Sequence, residues 1–166
     1  PRIARCLSRM QNPPDVPLGL AVELRPYQLE GYRWLAVRAA AGVGACLADD
    51  MGLGKTVQLL ALLLQRARQG ISLVVAPLSL LANWLAESAG FTPGLRVQRY
   101  RPGKPLPPFT RCDVVLASYG EVVANPAVFI ARRWNVLALD EAQEIRNRHS
   151  LRTRTLCSLT AAARVC

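Results

Sequence analysis

Ala48-Asp49-Asp50-Met51-Gly52-Leu53-Gly54-Lys55-Thr56 is the stretch on which the fold turns. Before it, Ala45-Cys46-Leu47-Ala48 is apolar and as short as a strand. After it, residues 55–69 carry leucines at helical spacing and stop at Gly70. A strand that breaks into a glycine-bearing turn and then opens a long helix makes a cradle for phosphate. The glycines let backbone N–H groups turn inward, and the helix N-terminus adds partial positive charge. In such a cradle Lys55 reaches the β- and γ-phosphates of a nucleotide and the Thr56 hydroxyl ligates Mg²⁺. The strict spacing G-x-x-x-x-G-K-[ST] is not met, because Asp49 stands where the first glycine belongs. On the loop alone, a chance Gly-Lys-Thr at a helix start is the competing reading.

A second stretch weighs against chance. Val136-Leu137-Ala138-Leu139-Asp140-Glu141-Ala142-Gln143 is an apolar strand that delivers two adjacent carboxylates to its C-terminal end. Ligands bind at that end of open parallel sheets. Asp140 would hold Mg²⁺ through its water shell, and Glu141 would orient and deprotonate the attacking water. The plain alternative is an acidic pair favoured by a helix dipole. Together the two stretches read as a nucleoside triphosphatase.

Outward from these motifs, apolar runs alternate with helical periods. Leu24, Tyr27, Gln28, Gly31, Trp34, Leu35 and Arg38 recur three or four apart, with Pro26 in the first turn, where a missing N–H costs nothing. Residues 71–76 form a continuous apolar strand of the kind buried on both faces. Residues 79–89 are expected to form a helix with Ser79 as its N-cap and Gly90 at its end. Strands are expected over 95–100, 113–117 and 135–139, with short helical turns around 121–131. Ser150 is expected to cap a last helix reaching about residue 163. Alternating strands and helices predict an α/β fold, a parallel sheet with helices on both faces. Residues 1–21, with four of the twelve prolines, read as an extended lead-in to one domain over 22–166.

Composition sets the outer bounds. The chain has 166 residues, 51% hydrophobic and 19% charged, which excludes a disordered chain and suits one globular domain. Its longest apolar stretch, 57–64, contains Gln58 and is far short of the ~18 residues of a membrane span. The formal net charge is +10, and all but Lys55 and Lys104 of the 21 cations are arginine. That balance suits a polyanion such as nucleic acid, and equally the Ala-, Leu- and Arg-rich composition that a GC-rich genome produces. Five cysteines without a C-x-x-C make neither a zinc site nor a disulfide framework, and are expected as buried thiols in a reducing cytosol.

With both motifs in view, the chain resembles the first RecA-like lobe of the Swi/Snf-type ATPases, in superfamily two of the helicase-like proteins. That family writes its phosphate loop (Walker A) D-x-G-x-G-K-T, so Asp49 is a family feature. Leu24-Arg25-Pro26-Tyr27-Gln28-Leu29-Glu30-Gly31-Tyr32-Arg33-Trp34-Leu35 resembles the adenine-recognition segment, which implies that Gln28 reads the adenine edge. An amide can donate to and accept from adenine at once. Val75-Ala76-Pro77-Leu78-Ser79-Leu80-Leu81-Ala82-Asn83-Trp84 and Ser118-Tyr119-Gly120 resemble the motifs that line the nucleic-acid face. That implies DNA contacts at Ser79 and Ser118, against a plain reading of Ser79 as a cap with Leu80, Leu81 and Trp84 in the core. Gln143, in the fourth place of the Walker B box, resembles the bacterial branch.

The resemblance implies ATP and Mg²⁺ as cofactors, the nucleotide held by Gln28 and the 50–56 loop (Asp50, Met51, Gly52, Leu53, Gly54, Lys55, Thr56), the metal by Thr56 and Asp140, with Lys55, Asp140 and Glu141 as the catalytic residues. It implies double-stranded DNA as partner, a chromatin-remodelling type of motor, and a cytoplasmic, nucleoid-associated location. A second RecA-like lobe is expected to supply an arginine finger, so that this lobe alone hydrolyses ATP negligibly. The next family strand is expected to begin only after Val165. An RNA helicase lobe, or a non-catalytic nucleic-acid-binding module with a vestigial nucleotide site, are the rival readings. The basic groups Arg96, Arg99, Arg101, Lys104 and Arg146, Arg148, Arg152, Arg154 are either phosphate-facing or solvated and docking faces.

Overall fold

Strands β1 (Ser72–Ala76), β2 (Val97–Arg99), β3 (Val114–Ser118), β4 (Trp134–Leu139) and β5 (Ala161–Val165) run parallel, in the spatial order β2-β3-β1-β4-β5. They belong to a computed structural model that describes residues 14–50, 52–109 and 112–166. Helices α1 (Pro26–Ala41), α2 (Lys55–Arg66), α3 (Leu81–Phe91), α4 (Tyr119–Ala124), α5 (Pro126–Ile130) and α6 (Leu151–Ser158) cover the two faces. This is the α/β architecture of a RecA-like lobe.

The central strands are apolar throughout because both of their faces are covered. Every residue of β1 and β3 is buried. Successive side chains point to opposite faces. Val74, Leu116, Val136 and Ala138 therefore join α1, α2 and α3 in one core, with Leu35, Leu60 and Trp84. Leu73, Val75, Val115 and Leu137 join α4, α5 and α6 in the other, with Phe129, Trp134 and Leu156. Phe129 meets Tyr100 edge-on at 4.8 Å between ring centres and stacks near Trp134 at 6.2 Å. Each fully buried Leu or Phe in these layers stabilises the fold by about 1.5–3 kcal/mol over exposure.

One buried polar clasp fixes the helix that follows the phosphate loop. Arg66, at the end of α2, donates to Asn135 Oδ1 through Nη2 (2.8 Å), and Asn135 Nδ2 returns a bond to the Arg66 carbonyl (2.8 Å). The C-terminal end of α2 is thereby tied to the start of β4. Gly70, at φ 137°, ends the segment in a conformation that side-chain-bearing residues rarely adopt.

Several local expectations are corrected. The last helix stops at Ser158, and Ala161–Val165 is a strand on the outer edge of β4. Alanine favours a helix locally, but the open β4 edge and the burial of Ala163 and Val165 decide otherwise. The strand expected after Val165 is thus already formed before it. Ser79 is no cap: Leu78–Leu80 is a 3₁₀ turn, α3 starts at Leu81 without a side-chain cap, and it runs through Gly90 to Phe91. The expected strand at 45–48 is a single parallel bridge, Ala45 to Val165. Ser150 does cap α6, accepting from the Thr153 amide at 3.1 Å.

Of the lead-in, residues 14–21 contain no helix or strand. They are fastened by Tyr32 Oη donating to the Asp15 carbonyl (2.9 Å) and by Ala21 N donating to the Phe91 carbonyl (2.7 Å). Burial pushes the Tyr32 hydroxyl up to about 12, so it remains a donor at neutral pH. Among the described residues no helix is long and apolar enough to cross a membrane.

Candidate nucleotide site

The phosphate loop leaves the sheet next to β5. Ala45 N donates to the Arg164 carbonyl (3.0 Å) and Leu47 N to the Cys166 carbonyl (2.7 Å), so the chain is held against the sheet until the turn begins. Gly52 and Gly54 both have positive φ, 84° and 76°. Gly54 is also the N-cap of α2 and has no side chain to satisfy the first-turn amides, which stay open to an anion. Met51 lies outside the described residues. The Lys55 ammonium turns back into the loop and donates to the carbonyls of Asp49 and Asp50, the latter at 3.0 Å.

Asp49, the residue that breaks the strict glycine pattern, has a partner that spacing did not reveal. Its Oδ2 accepts from Gln58 Nε2 at 2.9 Å. Gln58 is fully buried in α2, and among the described residues its Oε1 has no hydrogen-bond donor. The amide fits only because residue 31 is glycine: a Cβ there would lie 1.9 Å from Gln58 Oε1. A polar interruption of an apolar run thus anchors the phosphate loop.

The carboxylates arrive from β4. Asp140 N still pairs with the Val75 carbonyl (2.9 Å), so the strand holds until the first acidic residue. Asp140 Oδ1 accepts from the Glu141 amide (3.0 Å) and Oδ2 from the Trp84 indole Nε1 (2.8 Å). The Asp140 carbonyl accepts from Tyr119 Oη at 2.7 Å. Burial, followed by the nearby Asp140 charge, pushes the Tyr119 hydroxyl well above its ordinary range and keeps it a donor. Glu141 sits at φ 53°, the sole left-handed non-glycine among the described residues, and its Oε2 accepts from Gln143 Nε2. Such backbone strain persists where surrounding contacts over-determine it, often at functional sites.

The two motifs meet. A cavity of about 380 Å³ is lined by Asp49, Lys55 and Thr56 from the phosphate loop, by Asp140, Glu141 and Gln143 from the end of β4, and by Trp84. The donor chemistry fits a magnesium nucleotide. A hydroxyl and two carboxylates are hard oxygen ligands, and an ammonium and open helix amides face them. Among the described residues no cluster of three or more His, Cys, Asp or Glu can hold a metal alone. A divalent ion here would draw most of its shell from phosphate and water.

Other expected site residues fall around this centre. Gln28 holds the loop and is not among the residues lining the cavity: its Nε2 donates to the Leu53 carbonyl (3.0 Å) and its Oε1 accepts from Arg25 N (3.0 Å). Ser79 is exposed on its 3₁₀ turn. Ser118 is buried and caps α4, its hydroxyl accepting from the Glu121 amide while Glu121 Oε2 accepts from Ser118 N at 2.7 Å. Sequence reasoning missed Trp84, Tyr119 and Gln58 as site residues. Trp84 looked like core, Tyr119 stood only inside a stretch resembling the nucleic-acid face, and Gln58 was only an irregularity in an apolar run.

The cysteine expectation is corrected. Cys112 is buried, whereas Cys46, Cys157 and Cys166 are exposed, and Cys6 lies outside the described residues. Cys46 and Cys166 line the cavity. Partial burial, then its neighbour Cys46, pushes the Cys166 thiol up to about 11. The arginine groups are partly engaged: Arg96 pairs with Asp113, Arg99 with Glu121 and Arg152 with Glu144. Arg146, Arg148 and Arg154 are exposed.

Comparison with known proteins shows the family. Residues 27–166 match the family described as SNF2-related domain. The chain is 38% identical over 169 residues to YwqA of Bacillus subtilis, covering 95% of this chain and 18% of that protein. It is 38% identical over 161 residues to Helicase SWR1 of Mycosarcoma maydis, covering 90% of this chain and 9% of the relative. The solved Sulfolobus solfataricus SWI2/SNF2 ATPase core in complex with dsDNA superposes with a TM-score of 0.83 at 32% identity, covering 90% of this chain and 32% of the other. The chain therefore spans under a fifth of those two relatives and about a third of that core. With a family match over nearly its whole length and both motifs at one cavity, the chain belongs to the SNF2-related domain family.

Proposed function

We propose that this chain is the ATP-binding lobe of a DNA-dependent ATPase that translocates on duplex DNA and remodels protein–DNA complexes. The observation that carries the reading is the meeting of Lys55 and Thr56 with Asp140 and Glu141 at one cavity, from segments some 85 residues apart (140 − 55). Lys55 and the first-turn amides of α2 would hold the β- and γ-phosphates. Thr56 and Asp140 would hold the Mg²⁺, and Gln28 would meet the adenine edge once its amide leaves the loop. Bound Mg²⁺ would neutralise charge on the transferred phosphate. Glu141, turned by its backbone and steadied by Gln143, would orient and deprotonate the attacking water.

The second wall of the cleft and an arginine finger would come from a second RecA-like lobe, in keeping with the one third of the solved Sulfolobus core that this chain covers. That core was solved with dsDNA, which supports duplex DNA as the partner here. Ser79, exposed before α3, would contact its phosphates. Ser118 would act mainly by capping α4. The bacterial relative suits a cytoplasmic motor working at the nucleoid.

The test is ATP hydrolysis by the full-length protein with duplex DNA, with RNA and without nucleic acid. Duplex DNA is expected to raise kcat at least about tenfold, and Lys55→Ala to remove turnover. Greater stimulation by RNA would return the helicase reading. Activities insensitive to Lys55→Ala would make the lobe a binding module.

A further inference from the structure

Asp140 is held through its carboxylate and its backbone alike. Four bonds reach it: the Glu141 amide on Oδ1, the Trp84 indole on Oδ2, the Tyr119 hydroxyl on its carbonyl, and its own N–H to Val75. The two aromatic donors come from different elements, Trp84 from α3 on one face of the sheet and Tyr119 from the first turn of α4 on the other. They are 5% and 3% exposed, so neither bond competes freely with bulk water.

We propose that Trp84 and Tyr119 are positioning residues for the Asp140 carboxylate, fixing its direction toward the metal that accompanies the nucleotide. The inference rests on the Mg²⁺–ATP reading of this cavity. An ionised carboxylate has about four lone-pair sites. The Glu141 amide and the Trp84 indole take one on each oxygen, which stops rotation of the group and leaves the opposite lone pairs for water or metal. The Tyr119 bond acts one step further back. It holds the peptide between Asp140 and Glu141, so the carboxylate and the left-handed turn after it move together. Trp84 and Asp140 both line the cavity, so the bonded pair borders the nucleotide space. Partners of this kind around metal ligands alter metal affinity or activity by about 10–100-fold when removed.

A merely structural role gives a different expectation. A buried indole N–H needs an acceptor, and Asp140 could serve only that need. Its loss would then weaken the fold and reduce nucleotide binding alike with and without metal. The discriminating readout is the affinity gained from the metal: the ratio of Kd for a non-hydrolysable ATP analogue without and with Mg²⁺, measured by calorimetry on the full-length protein. Trp84→Phe removes the N–H together with the five-membered ring of the indole; Tyr119→Phe removes one oxygen and no packing. Each is expected to lower that ratio by about tenfold. Tyr119→Phe keeps the test decisive should Trp84→Phe fail to fold. If both variants keep the wild-type ratio, the two aromatics are core residues and the proposal is overturned. A wild-type protein that binds the analogue with no gain from Mg²⁺ overturns the magnesium reading itself, and the proposal with it.

Discussion

Gly31 shows how much one missing methyl can carry. It lies in α1, remote from both motifs in sequence, and a Cβ there would meet Gln58 Oε1 at 1.9 Å. The Gln58 amide cannot retreat without releasing Asp49, because its Nε2 holds the Asp49 carboxylate. Gly31→Ala is therefore expected to destabilise the protein by about 1–3 kcal/mol, the usual cost of overpacking, in denaturant unfolding. It is expected to weaken nucleotide binding as well. A variant as stable as the parent would show that Gln58 repacks freely and does not anchor the loop. Lys55, Thr56, Asp140 and Glu141 were legible in the sequence because glycine-rich phosphate cradles and strand-end carboxylates constrain residue type and spacing together. Trp84, Tyr119 and Gln58 were not, because a buried aromatic or a lone amide looks the same whether it fills a core or orients a neighbour.

At the scale of elements, pairing at the sheet edges outweighed local preference. Ala161–Val165 has the composition of a helix end, yet it completes the sheet on β4 and supplies the edge against which Ala45 bridges. The approach to the phosphate loop therefore depends on a strand 116 residues further along (161 − 45). No local window contains that information. On the opposite edge, β2 is tied down by a charge pair. Arg96 donates to both Asp113 oxygens, at 2.6 and 2.9 Å, just before β2 and β3 begin. Burial alone would raise the Asp113 carboxyl, but the bonds from Arg96 outweigh it and hold the group below its ordinary range. A carboxyl depressed in the folded state stabilises above its unfolded value, near ~4, and that contribution is lost as pH falls through the folded value. Asp113→Asn is thus expected to melt below the parent at pH 7, with the gap closing as pH drops under about 4. A gap independent of pH would mean that the pair contributes through packing and not through charge.

For the whole molecule, the sheet explains why one site exists where two motifs were read. Parallel strands bring their C-terminal ends to one rim, and the phosphate loop and the β4 carboxylates both leave from it. The fold class was legible because apolar runs alternate with helical periods along the chain. The partners of Asp140 were not, since they come from opposite faces of the sheet, and the anchor beneath the loop was not, since it joins Asp49 to a buried amide in the helix that follows. The central claim is that this rim binds Mg²⁺–ATP through the cradle ending at Lys55. Calorimetry of Mg²⁺–ATP on the full-length protein and its Lys55→Ala variant tests it most directly. One saturable site is expected in the parent. Loss of a charge-assisted contact worth about 1.5–3 kcal/mol would weaken the variant by roughly 10- to 150-fold. Equal affinity in the two proteins, or no binding by the parent, would contradict the account.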